Sequence, residues 1–325
     1  MRFVTFETEG DAERFGFLSH SGRVVDLEGA CAAALAAELP IERAYRLAAA
    51  MAPSDGLAFV EGGEIGLRAA REAKAAADAA ARANRPLSGP RGETIDFAAE
   101  AVRLRAPFPR PRNFIACGKN FDDHLVEMQQ SDRPVAPRIP SGHPQYPSAI
   151  VGPDSTVPYP RETGKLDYEV EMAYVIGRRA YRIRPEEALD HVFGFTIYND
   201  LSARDLGEQE YGVPLLTKNL PGFAPMGPHL VTRDEFGDLD AVGLRTRVNG
   251  ELRQSSRVAN MRFRIRDQIA FWSQIGLEPG DVLTTGTPGG VAAGRGADDE
   301  PWWLRPGDTV ACEIDGIGIL RTRIG

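Results

Sequence analysis

The stretch Leu166-Asp167-Tyr168-Glu169-Val170-Glu171-Met172-Ala173-Tyr174-Val175-Ile176-Gly177 constrains the fold more than any other part of the chain. It reads as an apolar β-strand that carries acids at alternate positions. Side chains alternate across a strand, so Asp167, Glu169 and Glu171 share one face while Tyr168, Val170 and Met172 share the other. Carboxylates held close together in a partly buried place repel, and each takes up a proton unless a cation compensates. A divalent metal is the simplest remedy. A solvated strand face is the plain alternative for an isolated Glu-x-Glu.

Further on, Gly194-Phe195-Thr196-Ile197-Tyr198-Asn199-Asp200 reads as a second apolar strand ending in an acid. Strand ends present functional side chains to clefts. Glu169, Glu171 and Asp200, with no nearby Cys or His, make an all-oxygen set that suits Mg²⁺, Mn²⁺ or Ca²⁺ rather than zinc or copper. Glu169-Val170-Glu171, Asn199-Asp200-Leu201-Ser202-Ala203-Arg204-Asp205, Pro225-Met226-Gly227-Pro228, Leu277-Glu278-Pro279-Gly280-Asp281-Val282 and Thr285-Gly286-Thr287-Pro288 follow in that order. Together they resemble the signature blocks of the fumarylacetoacetate hydrolase family, over about residues 111 to 325. The resemblance implies chemistry at C–C bonds next to a 2-oxo acid. Family members include acylpyruvate hydrolases, oxaloacetate decarboxylases, dienoate isomerases and sugar-acid hydrolases.

Composition agrees with an enzyme that has a large core. The chain has 325 residues, 42% of them hydrophobic, enough for about two domains. No apolar run approaches the roughly 18 to 20 residues of a membrane span, and Met1-Arg2-Phe3-Val4-Thr5-Phe6 lacks a signal-peptide core, so a cytoplasmic protein is expected. Cys31, Cys117 and Cys312 are scattered and odd in number, which argues against a disulfide framework. A net charge of −8 speaks against nucleic acid as the main partner.

Organisation changes near residue 105. Before it lie strand-like runs at Phe3 to Phe6, Gly16 to Leu18 and Arg23 to Leu27, and an Ala-rich surface helix from Glu64 to Ala83. Pro86, Pro90, Pro107, Pro109 and Pro111 mark a connector. The rest is rich in β-branched strands, Gly and Pro, and there is no internal repeat. The expected fold class is α+β and β-rich: an N-terminal α/β domain over 1–105, then a catalytic domain over 106–325. The resemblance implies a mixed β-roll for the second and a homodimer built through it.

Around Asn113 to Met128, Asn120 is a suitable N-cap, with Asp123 in a capping-box-like position. A helix from Phe121 then places His124 and Glu127 on one face at i, i+3. A carboxylate there holds the imidazole in one tautomer and raises its basicity, as a general base needs; an exposed helical pair is the alternative. The segment resembles the family's His-x-x-Glu dyad, so His124 and Glu127 are expected to be catalytic. The resemblance also implies that Lys218 stabilises negative charge beside a metal-held 2-oxo acid. Thr287 and Gly286 lie on a glycine-rich turn whose backbone can approach a ligand, unremarkable as a turn alone; the resemblance implies that they bind substrate. The resemblance implies that Tyr211 lines the pocket, a buried core tyrosine being the alternative, and Tyr146 is expected to bind substrate. Asp167 is expected to orient ligands, Arg204 and Asp205 to pair structurally, and Trp302 and Trp303 to serve a dimer contact, a pocket cap or local core.

The chain departs from the family at Gly207, where many members carry glutamine. It also lacks a lysine in His143-Pro144-Gln145-Tyr146-Pro147-Ser148-Ala149-Ile150-Val151-Gly152, and has Asn219-Leu220-Pro221-Gly222-Phe223 in place of Ser-Phe-Asp. These changes favour a substrate bulkier or less charged at its far end than the small dicarboxylates. The resulting expectation is a divalent-metal-dependent hydrolase of a C–C bond in a 2,4-dioxo acid. Its alternatives are a decarboxylase or tautomerase of a 2-oxo acid on the same scaffold, or a noncatalytic binding protein.

Overall fold

The structure, a computed structural model, describes residues 1–10, 12–129, 136–207, 209–210, 213–295 and 302–325. The N-terminal Phe- and Val-rich runs form β1 (Arg2–Glu7), β2 (Arg14–Leu18) and β3 (Val24–Asp26), paired antiparallel in sequence order. The Ala-rich segment is a helix, α1 (Gly63–Arg82). It is more than a surface helix, because Ala69, Ala70, Ala73, Ala77 and Ala80 form a buried stripe at helical spacing.

The remaining strands are β4 (Phe114–Gly118), β5 (Ser141–Pro144), β6 (Val170–Ile176), β7 (Val192–Asn199), β8 (Ala224–Thr232), β9 (Gly243–Val248), β10 (Glu251–Arg257), β11 (Val282–Thr284), β12 (Thr309–Ile314) and β13 (Gly318–Ile324). Two short helices, α2 (Asp122–Gln129) and α3 (Leu215–Asn219), flank the cleft described below. The main sheet runs β3-β2-β1-β8-β7-β6-β11-β4-β5. β1 bonds to β8, with Arg2 opposite Val231 and Phe3 opposite Leu230, so one sheet spans the change in organisation near residue 105. A second sheet, β10-β9-β12-β13 extended by Ser155–Val157, packs on the first.

Every residue of β6 is buried. Val170, Met172, Tyr174 and Ile176 enter a core shared with Phe195, Leu244, Val310 and Leu320. Ala173 and Val175 face a second core with Phe3, Phe15, Phe59 and Phe193. With both faces covered, the strand reads as an almost unbroken apolar run, and its acids emerge only where it begins. The fold is thus the sheet-rich α+β arrangement expected. The three cysteines are free and buried, and no helix among the described residues is long and apolar enough to cross a membrane. Trp302 and Trp303 pack against the first core, and Trp302 lies between the guanidinium groups of Arg253 and Arg295, each 4.3 Å from its ring centroid. They are local structure.

Candidate active site

The acidic run is not one uninterrupted strand. Leu166–Asp167 pairs with Ser202–Ala203, the chain breaks at Tyr168 and Glu169, and only from Val170 does it join β7 and β11. Two hydrogen bonds fix the break: the Glu169 N–H donates to Asn199 Oδ1 (3.0 Å), and the Asp200 N–H to the Glu169 carbonyl (2.9 Å). The break brings the two strand ends face to face. Carboxylate oxygens of Glu169, Glu171 and Asp200 all lie within 4.8 Å of one another, and all three residues are buried. Asp167 stands outside this cluster. It accepts from Arg204 Nε (2.9 Å) and from the N–H groups of Ala292 (2.7 Å) and Ala293 (3.2 Å).

Lys218, on α3, donates to Glu169 Oε2 and Asp200 Oδ2, both at 2.8 Å, and Arg204 pairs with Glu169. Burial by itself would raise the Glu169 pKa, but Lys218 and then Arg204 outweigh it and hold the carboxyl well below its usual range. Glu171 behaves oppositely. Burial first, then the charges of Asp200 and Glu169, push its pKa well above the usual value. Its Oε2 accepts a long bond from the Gly286 N–H (3.2 Å), and a side-chain hydrogen bond with Thr284 offsets the rise only in part. A buried acid pushed toward its protonated form between two other carboxylates fits a site that gains a cation, and the all-oxygen donor set fits a hard divalent ion.

Across the cleft, His124 and Glu127 meet as their spacing predicts, Nδ1 to Oε1 at 2.8 Å. Glu127 is fixed in turn by the Gly290 N–H, which donates to Oε2 (2.8 Å). The expected cap differs. Asn120 does not cap α2; its amide donates to the carbonyls of Phe263 (3.0 Å) and Thr285 (2.8 Å), and its oxygen accepts from the Phe263 N–H. The Phe121 carbonyl begins the helix instead, accepting from Leu125, and Asp123 accepts from the N–H of His124. Asn120 therefore ties the dyad's segment to the glycine-rich turn.

That turn places Thr287 in the cleft wall, its hydroxyl donating to the Val170 carbonyl (3.0 Å) and accepting from Gln254 (2.9 Å). Gly286 has φ +77°, and a Cβ there would sit 3.1 Å from that of Asn120. Its part in the site is its N–H toward Glu171. Tyr146 is not brought to the cleft wall: the strand ends at Pro144, and the ring stands about half exposed beyond it. Tyr211 lies outside the described residues. Arg204 pairs with Glu169 and Asp167 rather than Asp205, whose carboxylate accepts from Thr163 and the Gly164 N–H.

Sequence reasoning missed Tyr198, Gly290, Lys119 and His143. Tyr198 donates to Asp200 Oδ1 (2.7 Å); its place two residues before the acid on one strand face was the available signal. Lys119 and His143 line the cleft, which is about 470 Å³. Nothing in the sequence distinguished these two, because their strands meet only in the folded sheet.

Groups that hold and move protons, set opposite a cluster able to bind a divalent ion, are the equipment of acid–base catalysis on a small anion. The chain belongs to the fumarylacetoacetate hydrolase family: residues 113–325 match the family described as fumarylacetoacetate (FAA) hydrolase C-terminal. It is 41% identical over 221 residues to an oxaloacetate tautomerase, fahd2, mitochondrial, of Xenopus laevis, covering 67% of this chain and 67% of that protein. It is also 41% identical over 233 residues to the oxaloacetate tautomerase YisK of Bacillus subtilis (strain 168), covering 70% of this chain and 75% of that one. Among solved structures, a fumarylacetoacetate hydrolase from psychrophilic Exiguobacterium antarcticum superposes with TM-score 0.72 at 31% identity, over 100% of this chain and 99% of that one.

Proposed function

We propose that the protein interconverts the enol and keto forms of a small 2-oxo acid of the oxaloacetate type, with a divalent cation held by Glu169, Glu171 and Asp200. The observation that carries this reading is the placing of a carboxylate-held imidazole and a buried ammonium in the same cleft as the three-carboxylate cluster. The tautomerases among its relatives favour enolisation over the C–C hydrolysis that the sequence first suggests. They also favour a small dicarboxylate, although the departures around residues 143–152 and 219–223 suggest a bulkier substrate. When bound, the divalent cation polarises the 2-oxo group and lowers the cost of losing a proton from C3.

The chain's own residues supply the rest. Glu127 holds His124 through Nδ1, so Nε2 faces the cleft and takes the C3 proton as the C–H bond breaks. The electron pair enters the C2–C3 bond, the carbonyl becomes an alcohol oxygen, and a proton arrives there from solvent. The reverse direction returns the proton from His124 to C3. Burial alone would lower the Lys218 pKa, but Asp200 and Glu169 raise it, so its ammonium stays charged beside the developing oxygen charge. A homodimer and a cytoplasmic location belong to the same reading.

The test supplies oxaloacetate as its enol, with and without Mg²⁺ or Mn²⁺, and follows enol absorbance and products together. A tautomerase speeds metal-dependent loss of enol while total oxaloacetate stays constant. Pyruvate and CO₂ would instead show a decarboxylase. The second reading, hydrolysis, is favoured by the same dyad, which suits activation of water; it requires pyruvate and a second acid from an acylpyruvate.

A further inference from the structure

β5 is the edge strand of the main sheet, antiparallel to β4, with His143 opposite Ala116. Strand alternation puts Ser141 and His143 on one face, and both line the cleft. The Ser141 hydroxyl is spent on the Gly118 carbonyl (3.1 Å). His143 is different: it is 8% exposed, and its Nε2 is buried without a hydrogen-bond partner among the described residues. The facing acid, Asp200 Oδ2, is 3.8 Å away, beyond hydrogen-bond reach. Asp200 is already occupied by Tyr198 at Oδ1 and by Lys218 at Oδ2. With its hydrogen on Nε2, the ring offers the cleft a donor that no group among the described residues uses. Leaving a buried donor unmade costs free energy that a ligand with a free acceptor recovers.

The neighbouring cleft groups have their own partners. Glu169 is bound by Lys218 and Arg204, His124 by Glu127, and the Thr287 hydroxyl by Val170 and Gln254. We propose that His143 is a further substrate-binding residue of this cleft, its Nε2–H donating to a carboxylate oxygen of the bound 2-oxo acid. This rests on the reading of the ligand as a 2-oxo acid. It adds to the cleft a recognition group that comes from the edge strand.

The test uses the full chain loaded with Mg²⁺ and titrated with oxalate, a small non-reacting dianion, by calorimetry. Mg²⁺ affinity is measured separately on metal-free protein. Two substitutions divide the ring: His143→Gln keeps a donor near the Nε2 position, and His143→Asn keeps only one near Nδ1. The expected result is a loss of oxalate affinity of roughly tenfold or more in His143→Asn, substantial recovery in His143→Gln, and Mg²⁺ affinity within about twofold of the parent in both. Unchanged oxalate affinity in His143→Asn, or a parent protein that does not bind oxalate, overturns the inference. So does a parallel fall in Mg²⁺ affinity, which would make His143 a support of the metal cluster. Should His143→Asn fail to fold, His143→Ala takes its place and is read in the same way against the parent. If the parent binds oxalate through His143 but does not tautomerise oxaloacetate, the inference stands and the proposed reaction falls.

Discussion

Glu171 is buried beside Glu169 and Asp200 and makes no ion pair with the described residues; burial and those two charges push its carboxyl toward the protonated form. Binding of a cation must expel that proton, and Mg²⁺ affinity should therefore rise with pH. Glu171→Gln should leave the metal-free protein as stable as the parent or more so, because it replaces a neutral acid with a neutral amide. The same change should abolish the stabilisation by Mg²⁺, about 2.7 kcal/mol for the parent at a hundredfold excess over Kd, and with it the rise in melting temperature. Calorimetry with and without Mg²⁺ checks both; an undiminished Mg²⁺ shift in the variant would remove Glu171 from the ligand set. For the dyad, Glu127→Gln should lower kcat roughly 100-fold or more with little change in Mg²⁺ affinity, because it disturbs the tautomer and basicity of His124. Full turnover in that variant would rule the dyad out as the proton carrier. At this scale the sequence placed the acids on one strand face and the dyad on one helix face, while the resemblance of its segment to the family's His-x-x-Glu gave the dyad its expected role. It did not reveal that Arg204 pairs with Glu169, a contact across 35 residues of chain.

The turn after β11 is the element that joins the two halves of the chemistry. Gly286 offers its N–H to Glu171 on one side, and Gly290 offers its N–H to Glu127 on the other. Gly290 has φ +104°, and a Cβ there would lie 2.2 Å from the Arg253 carbonyl oxygen, part of a backbone that cannot swing aside. Gly290→Ala should destabilise the fold by about 1–3 kcal/mol and, by moving the donor from Glu127, lower kcat more than KM. Chemical denaturation and steady-state kinetics on one preparation test this, and wild-type values in both would show the turn to be slack. A second element-scale effect lies on β8, where burial and then the charge of Arg2 lower the His229 pKa from 6.5 to about 4. The unfolded chain binds the proton first as pH falls, so stability present above pH 6.5 is lost progressively down to about pH 4, with a slope of up to about 1.4 kcal/mol per pH unit. His229→Gln should flatten the stability curve over that window; an unchanged slope would assign the loss to other groups. The glycine-rich turn was legible as a turn, but its partners were not, since they come from α2 and from the start of β6.

For the whole molecule, the decisive fact is that β1 hydrogen-bonds to β8 while Phe3, Phe15 and Phe59 cover Ala173, Val175 and Phe193 from the opposite side to the second sheet. A protein truncated to residues 106–325 would leave β8 with an open edge and bare an apolar face, a combination that favours aggregation. It should be recovered insoluble or without a cooperative thermal transition; a soluble, cooperatively melting fragment would show that the catalytic part folds alone. Local pattern was enough for the sequence to determine some of this architecture: where the strands lie, that the Ala-rich segment is helical, that acids sit at alternate positions before an apolar run, and that His124 and Glu127 share a helix face. Each of those depends on periods of two or 3.6 residues within one segment. Tertiary structure alone decided that the acidic strand breaks at Tyr168 and Glu169, that Asn120 straps two segments rather than capping a helix, and that Tyr146 stands outside the cleft. It alone also brought Lys119 and His143 into the cleft wall. Those features arise where strands distant in sequence meet, and their geometry follows from packing and hydrogen bonding that no single segment specifies.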